Sequence, residues 1–159
     1  MTLEEIVLRL GIASAGGMAL GLDRELRGIA AGMRTHALVA LSSALITVSA
    51  LMLHEDLRHT AGANVDPLRV VQGLAQSVGF VAAGAIFFSG GKVHNLTSAA
   101  NLWLAAAVGI TSGAGQFNLV GTGLVLGVVI LTLVRVFEFF LPAGIKAERS
   151  DDNEETGDD

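Results

Sequence analysis

The stretch from Val93 to Val134, VHNLTSAANLWLAAAVGITSGAGQFNLVGTGLVLGVVILTLV, contains no Asp, Glu, Lys or Arg in 42 residues. As a single helix it would be about 63 Å long at ~1.5 Å per residue. The hydrocarbon core of a bilayer is only about 30 Å thick, so the run has to cross a membrane twice. Residues 111–118, TSGAGQFN, supply the glycine and polar residues of a tight turn and predict where the two spans meet.

Three more stretches upstream are long and apolar enough to cross a bilayer once each. His36 to His54 and Val70 to Gly91 hold no charged residue, and Ile6 to Leu22 is interrupted only by Arg9. We expect Arg9 to extend to the near interface or to pair with Glu5, one helical turn away. The sequence therefore predicts an all-α fold, a polytopic membrane bundle of about five transmembrane helices.

The start of the chain distinguishes a retained helix from a signal peptide. A signal peptide begins with a basic region and ends at a small-residue cleavage site. Here the opening MTLEEI is acidic, and no such site follows cleanly. We therefore expect the first span to be retained.

Composition agrees with a chain that is covered largely by lipid. Hydrophobic residues make up 52 % of the chain and charged residues 16 %, against roughly 25 % charged in an average soluble protein. The net charge is −5, but seven acidic residues lie within 148–159. We expect residues 1–141 to form the transmembrane domain and 142–159 an acidic, disordered tail. A chain without a basic stripe excludes a nucleic-acid partner, and the absence of cysteine excludes disulfides and thiolate sites.

Basic residues in the loops predict the orientation of the helices. Loops on one side hold six of them, and loops on the other side hold only Arg58 and Arg69. The six are Arg24, Arg27, Arg34, Lys92, Lys146 and Arg149. Because Lys and Arg accumulate in short cytoplasmic loops, we expect the N-terminus outside and the C-terminus in the cytoplasm.

Small residues predict how the helices associate. Lipid is as apolar as leucine, so membrane helices associate where small residues allow close approach. Three glycine pairs have the GxxxG spacing, at 17 and 21, at 109 and 113, and at 123 and 127. We expect these pairs to pack helices within one chain, and a homodimer face is the alternative.

Polar residues inside the spans leave two readings open. Gln72 and Gln76 lie one turn apart in the third span, and Thr97 and Asn101 hold the same relation in the fourth. Such residues are costly in lipid and usually face the bundle interior. They either line a hydrophilic cavity or hydrogen-bond neighbouring helices.

Four motifs in order carry a family resemblance. They are GLDRELRGIAAGMRTHALVAL at 21–41, DPLRVV at 66–71, GFVAAGAIF at 79–87 and NLTSAANLW at 95–103. With them the chain resembles the MgtC/SapB family of bacterial inner-membrane proteins. It departs from the family pattern where Asp23 replaces a glutamate, Ala82 a glycine and Asn101 a threonine. Longer members carry an ACT-like cytoplasmic domain, so the resemblance implies a short form that lacks it.

The resemblance also implies which residues form the functional motif. The candidates are Asp23, Arg24, Glu25, Gly32, Arg34, Thr35, His36, Asp66, Arg69, Gly79, Gly84, Thr97, Asn101 and Trp103. Asp23 and Asp66 are the candidates for a Mg²⁺ ligand, because Mg²⁺ prefers oxygen ligands. No other cofactor is expected. We expect Asp23 and Arg34 to pair with each other across the loop. If the bundle brings the DPLR motif near, we expect Asp23 to pair with Arg69 and Arg34 with Asp66.

The resemblance implies a role in Mg²⁺ and ion homeostasis and in stress adaptation, including the survival of pathogens inside phagocytes. The implied molecular act is regulation of a membrane partner such as the proton-translocating ATP synthase. The alternative is a transporter or channel for Mg²⁺ or another cation, acting as a dimer. An enzyme is not expected, because the sequence has no arrangement of nucleophile and base, although Asp23 and Glu25 could in principle act on a lipid head group.

Overall fold

The computed structural model describes residues 1–58, 66–89 and 92–140 of the chain, and within them five α-helices and one short hairpin. The elements are α1 (Leu3–Leu26), α2 (Met33–Leu57), α3 (Leu68–Gly84), β1 (Phe87–Ser89), β2 (Lys92–His94), α4 (Leu96–Gly113) and α5 (Phe117–Phe140). The all-α bundle of five helices is confirmed. The predicted break in the uncharged run is confirmed too, because α4 ends and α5 begins within it. The acidic tail, 142–159, lies outside the described residues.

Two of the described helices, α1 and α2, are long and apolar enough to cross a membrane by length and composition. The described part of α5 adds a shorter apolar helix, Phe117–Leu133. Large apolar side chains such as Leu126 and Ile130 are exposed on its surface. A crossing by all five helices stays a prediction.

The third predicted span is too long, and this part of the prediction is wrong. Helix α3 ends at Gly84, and Phe87–Ser89 pairs antiparallel with Lys92–His94. The rings of Phe87 and His94, which face each other across the two strands, stack with centroids 5.0 Å apart. Hydropathy registers only that these residues are uncharged, and a strand can be as apolar as a helix.

Helices α1, α2 and α4 form the centre of the bundle, and small residues bring their backbones together. Gly17 and Gly21 of α1 lie against the start of α2, where a Cβ on Gly21 would come within 2.7 Å of the Met33 Cα. On α4, Gly113 lies against α2 in the same way, since its Cβ would come within 2.7 Å of the Ala44 carbonyl oxygen. Two of the three glycine pairs therefore pack helices within the chain.

Helices α3 and α5 lie at the periphery. Leu74, Val78 and Ala82 form the buried side of α3, which packs on α4. Helix α5 joins the core through Val120, which clusters with residues of α1 and α4. Of the third glycine pair, Gly127 contacts Leu104, whereas a Cβ on Gly123 would meet nothing within 4 Å.

The arginine inside the first span has a partner that the sequence did not indicate. Arg9 donates from Nη1 to the carbonyl oxygen of Gly113 at 2.7 Å. In return the Ser112 hydroxyl donates to the Arg9 carbonyl oxygen at 2.7 Å. Glu5 instead completes a capping box with Thr2. Arg9 therefore satisfies a terminal carbonyl of α4, and the predicted pairing with Glu5 is wrong. Extension of the Arg9 side chain to the membrane interface stays a prediction.

Candidate functional site

The consecutive charges Asp23, Arg24 and Glu25 point their side chains in three directions. Asp23 is half-buried and forms a salt bridge with Arg27, with 3.2 Å between the Arg27 Nε and the carboxylate. Arg24 is buried in the bundle, and Glu25 reaches toward the start of α2. The three alternating charges therefore make three different contacts: an ion pair on α1, a hydrogen bond inside the bundle and a cap on α2. A pairing of Asp23 with Arg34 stays a prediction.

A left-handed backbone closes α1 before the chain turns into α2. Gly28 has φ +64° and Ala31 has φ +60°. The Ile29 amide donates back to the Arg24 carbonyl oxygen at 3.0 Å, which satisfies a terminal carbonyl of α1. Glycine adopts this conformation without a steric penalty, whereas Ala31 is strained there. The turn fixes the position of the last helical turn, which carries Arg24.

Glu25 caps the neighbouring helix. Its carboxylate accepts a hydrogen bond from the Met33 amide at 3.0 Å, at the first residue of α2. The N-cap residue Gly32 has no side chain to do this. A carboxylate beside free amide groups at a helix N-terminus is favoured both by hydrogen bonding and by the helix dipole.

Replacing Glu25 by alanine is expected to destabilise the chain by about 1 kcal/mol, because the first turn of α2 loses its cap. The measurement is the thermal unfolding midpoint of the purified protein in detergent. Glu55→Ala is the matched control, since it removes an exposed i,i+3 ion pair with Arg58, which contributes less than about 0.5 kcal/mol. Equal midpoints for the two variants would contradict the capping role.

Arg24 and Asn101 connect α1 to α4 through buried hydrogen bonds. The Arg24 side chain, in a residue 7 % exposed, donates from Nη2 to the Ser98 hydroxyl. One turn along α4, Asn101 is 3 % exposed and donates from Nδ2 to the Leu20 carbonyl oxygen at 2.9 Å. Leu20 lies one turn before Arg24, so the two bonds follow the same line of contact.

His36 brings α2 to the same place. It is fully buried, and its Nδ1 lies 2.9 Å from the Gly32 carbonyl oxygen. Because that oxygen can only accept, Nδ1 carries the proton and Nε2 is left as an acceptor in the neutral ring. The guanidinium of Arg24 is close enough to act electrostatically on His36. We call Arg24, His36, Ser98 and Asn101 the polar cluster.

Three buried atoms of the polar cluster make no hydrogen bond to any other residue that the structure describes. They are Arg24 Nε, His36 Nε2 and Asn101 Oδ1. The first is a donor and the other two are acceptors, so a small molecule that both donates and accepts, such as water, complements them. Buried polar groups without partners carry a free-energy penalty, which makes the polar cluster the most chemically distinctive part of the bundle.

The polar cluster does not have the chemistry of a cation site. Its only permanent charge is positive, and a divalent cation would be repelled. Across the described parts of the chain, no group of three or more His, Asp or Glu side chains is arranged to hold a metal ion. The role of Asp23 and Asp66 as Mg²⁺ ligands stays a prediction.

The structure brings together only part of the predicted functional motif. Asp66 and Arg69 lie at the start of α3, where Pro67 and Leu68 line a cavity of about 490 Å³ with Gln116, beyond the C-terminal end of α4. Arg24 contacts Ser98 at the other end of α4, a helix of 18 residues and thus about 27 Å long. The acid and base of the DPLR motif are therefore remote from the polar cluster.

The remaining candidates lie outside the polar cluster as well. Arg34 and Thr35 are exposed in the first turn of α2, and Thr97 and Trp103 are exposed on α4. A Cβ on Gly79 or Gly84 would meet nothing within 4 Å. Ser98 is the member of the polar cluster that the sequence analysis missed as a candidate. Its position three residues before Asn101, on the same helical face, was the available signal.

The sequence of this chain is similar to those of known bacterial proteins. The MgtC family model matches residues 10–140. The chain is 32 % identical over 137 residues to "Putative magnesium transporter YhiD" of Escherichia coli (strain K12), covering 86 % of this chain and 64 % of that protein. It is 36 % identical over 115 residues to Protein SapB of Bacillus subtilis (strain 168), covering 72 % of this chain and 50 % of SapB.

A third relative is Protein MgtC of Brucella abortus (strain 2308), which is 36 % identical over 128 residues, 78 % of this chain and 50 % of that protein. This chain thus spans about half to two-thirds of the length of these relatives. No solved structure gives a significant match.

Proposed function

The chain belongs to the MgtC family, and from that premise we propose that it regulates a membrane complex through contacts between helices, within bacterial Mg²⁺ homeostasis. Its family and its two long apolar helices mark it as a protein of the bacterial inner membrane. The partner that we propose is the proton-translocating ATP synthase. We further propose that the N-terminus lies outside and the C-terminus in the cytoplasm, which puts the polar cluster near the cytoplasmic face.

The observation that carries this proposal is the sign of the buried charge. Among the described side chains, the buried polar ones include the cation Arg24 and no Asp or Glu. Of the described carboxylates near the helix ends, Asp23 binds Arg27, Glu25 binds the Met33 amide and Asp66 accepts from the Leu68 amide at 2.9 Å. A path for a dehydrated divalent cation needs several oxygen ligands and negative charge, so the interior favours regulation over conduction.

A second candidate function is transport of Mg²⁺ or another cation, by the chain as a dimer. The observation in its favour is the name of the E. coli relative, "Putative magnesium transporter YhiD". In a dimer, the ion path would run between two chains, and the positive interior of one chain would not obstruct it.

Flux measurements separate the two functions. Proteoliposomes that contain the purified chain are expected to take up Mg²⁺ no faster than protein-free vesicles, since the buried interior offers no carboxylate. An ionophore for divalent cations confirms that the vesicles hold a gradient. Uptake that depends on the protein and falls in Asp66→Asn would contradict regulation and favour transport.

The partner is tested in native membranes. Photocrosslinking from the exposed faces of the helices is expected to recover subunits of the ATP synthase, identified by mass spectrometry. Recovery of the chain only with itself would remove the proposed partner.

A further inference from the structure

Helix α3 has an outward face that is unsuited to lipid. Its buried side, Leu74, Val78 and Ala82, packs on α4. Gln72 and Gln76 lie one turn apart on the opposite side, and both are exposed. An amide facing hydrocarbon leaves donors and acceptors unsatisfied, so polar residues in membrane helices usually face other helices. Among the residues that the structure describes, no hydrogen bond joins either glutamine to another helix.

The exposed residues of this face follow the spacing of a helix-pairing seam. Five exposed residues follow each other at spacings of four, three, four and three positions. They are Arg69, Gly73, Gln76, Phe80 and Ala83. A 3–4 repeat keeps one stripe of a helix in contact with a parallel partner. We call these five residues the α3 seam. Left-handed helix pairs of this kind are common in membranes.

The glycine in the α3 seam packs against no other part of the chain that the structure describes. A Cβ on Gly73 would meet nothing within 4 Å, whereas a Cβ on Gly21 or Gly113 would collide with the backbone of α2. Glycine inside a helix is about 1 kcal/mol less favourable than alanine. A glycine that meets no described neighbour leaves room for a backbone of another chain, and the exposed amides beside it favour such a partner.

We propose that the α3 seam docks the α3 seam of a second copy of this chain, in a parallel two-fold dimer. A carboxamide both donates and accepts, so Gln76 can bond the same residue of the other copy. Copies inserted with one topology are parallel, and a two-fold axis along the membrane normal places equal residues at equal depth. The two Gln76 side chains then lie at the same depth and can hydrogen-bond each other, so no third group is needed to satisfy them.

The residues that flank the α3 seam fit the same arrangement. In a parallel pair, positions five residues apart on the two helices face each other beside the seam. Gln72 and Ser77 have this separation. The Ser77 hydroxyl donates to the Leu74 carbonyl oxygen at 3.0 Å and keeps its lone pairs to accept from Gln72 of the other copy. At the end of the helix, exposed Asp66 and Arg69 offer opposite charges to each other across the axis.

Helix α5 is the contrasting case. From Val125 to Ile130 its exposed residues are all aliphatic and suit lipid directly. The α3 seam therefore has a chemical need for a protein partner that this part of α5 lacks. The inference rests on the predicted membrane crossing of α3 as well as on the membrane location of the chain, and it holds for a regulator and for a transporter alike.

Cysteine crosslinking in native membranes tests the proposal, because the chain contains no cysteine. Phe80→Cys lies in the α3 seam, and Val81→Cys is its neighbour, outside the seam and at nearly the same depth. Phe80 is 83 % exposed and Val81 is 52 % exposed, so both thiols are accessible. Near the two-fold axis, equal residues meet the distances that a disulfide needs. We expect mild oxidation to yield a covalent dimer of the chain from Phe80→Cys and little from Val81→Cys.

Every other outcome counts against the α3 seam as a homodimer contact. Equal yields from the two variants would indicate random collision, and a Phe80→Cys product with a different protein would show that the face docks that protein instead. No crosslinked product from either variant would also overturn the proposal.

Gly73→Leu and Gln76→Leu provide a second measurement in the Phe80→Cys background. Neither replacement meets a neighbour that a monomer needs, so thermal stability in detergent is expected to hold. Because an interhelical hydrogen bond contributes modestly in membranes, Gln76→Leu is expected to weaken dimerisation about three- to tenfold. Gly73→Leu is expected to weaken it more, since it separates the backbones. Unchanged crosslinking in both would refute the pairing.

Discussion

Replacing Gly109 by leucine is expected to prevent the chain from folding into a stable bundle, with a loss of about 3 kcal/mol, the upper end of the usual cost of overpacking. A Cβ at this position would already lie 2.9 Å from both the carbonyl carbon and the Cα of Ala40, and closer still to the carbonyl oxygen. These are backbone atoms of α2, which cannot move aside as a side chain can. The leucine would have to push α2 and α4 apart along their whole contact.

The measurement is the yield of monodisperse protein after detergent extraction, followed by its thermal unfolding midpoint. Gly121→Leu is the matched control, because Gly121 is exposed on α5 and a Cβ there would meet nothing within 4 Å. We expect that variant to match the wild-type chain or to exceed its stability slightly, since leucine is the better helix former. Similar losses at Gly109 and Gly121 would show that close approach of α2 and α4 does not hold the bundle together.

The sequence predicted that glycine pairs bring helices together, but it could not say which helices. Both used pairs, at 17 and 21 on α1 and at 109 and 113 on α4, approach α2. Helix α2 has no glycine pair of its own and receives them on the backbone beside Ala37, Ala40 and Ala44. Spacing within one helix identifies a close-contact face, whereas the choice of partner depends on how all the helices fit together.

The candidate site was predictable in its residue types and not in its contacts. The sequence selected Arg24, His36 and Asn101, and these three converge. Asp66 belongs to a motif of the same resemblance and lies beyond the other end of α4. A family motif identifies residues that the family has in common, but it does not give their positions in the bundle. The distance between two such residues depends on which end of its helix each one lies at.

The short hairpin was not predicted, and the reason is different. Phe87–Ser89 and Lys92–His94 flank Gly90 and Gly91, and the first strand continues an uncharged run that began in α3. Hydropathy measures transfer into an apolar phase and carries no information on backbone pairing. The phenylalanine-rich end of the run was therefore assigned to a helix, although a pair of glycines followed by a charged residue also fits two short strands.

Arg24→Met is expected to abolish function while it preserves the fold. Methionine matches the length of the arginine stem and removes a buried charge, and replacing a buried charge by an apolar side chain is often neutral or stabilising. Ser98, which loses its partner, can donate to a backbone carbonyl of its own helix. The assay is growth in low Mg²⁺ of a strain that lacks its own family member. If the polar cluster acts in regulation, Arg24→Met should fail to restore this growth, as an empty vector does.

Arg27→Met separates this effect from a loss of charge at the same membrane face. Arg27 is exposed in the same turn and forms a surface ion pair with Asp23, which contributes at most about 1 kcal/mol. We expect Arg27→Met to complement fully, and both variants to unfold within a few degrees of the wild-type chain in detergent. If Arg24→Met folds and complements as well as Arg27→Met, the polar cluster is structural. If Arg24→Met fails to fold, Arg24→Lys is the variant to use, because lysine keeps the positive charge but lacks the planar guanidinium. Full complementation by Arg24→Lys would show that the positive charge alone is required.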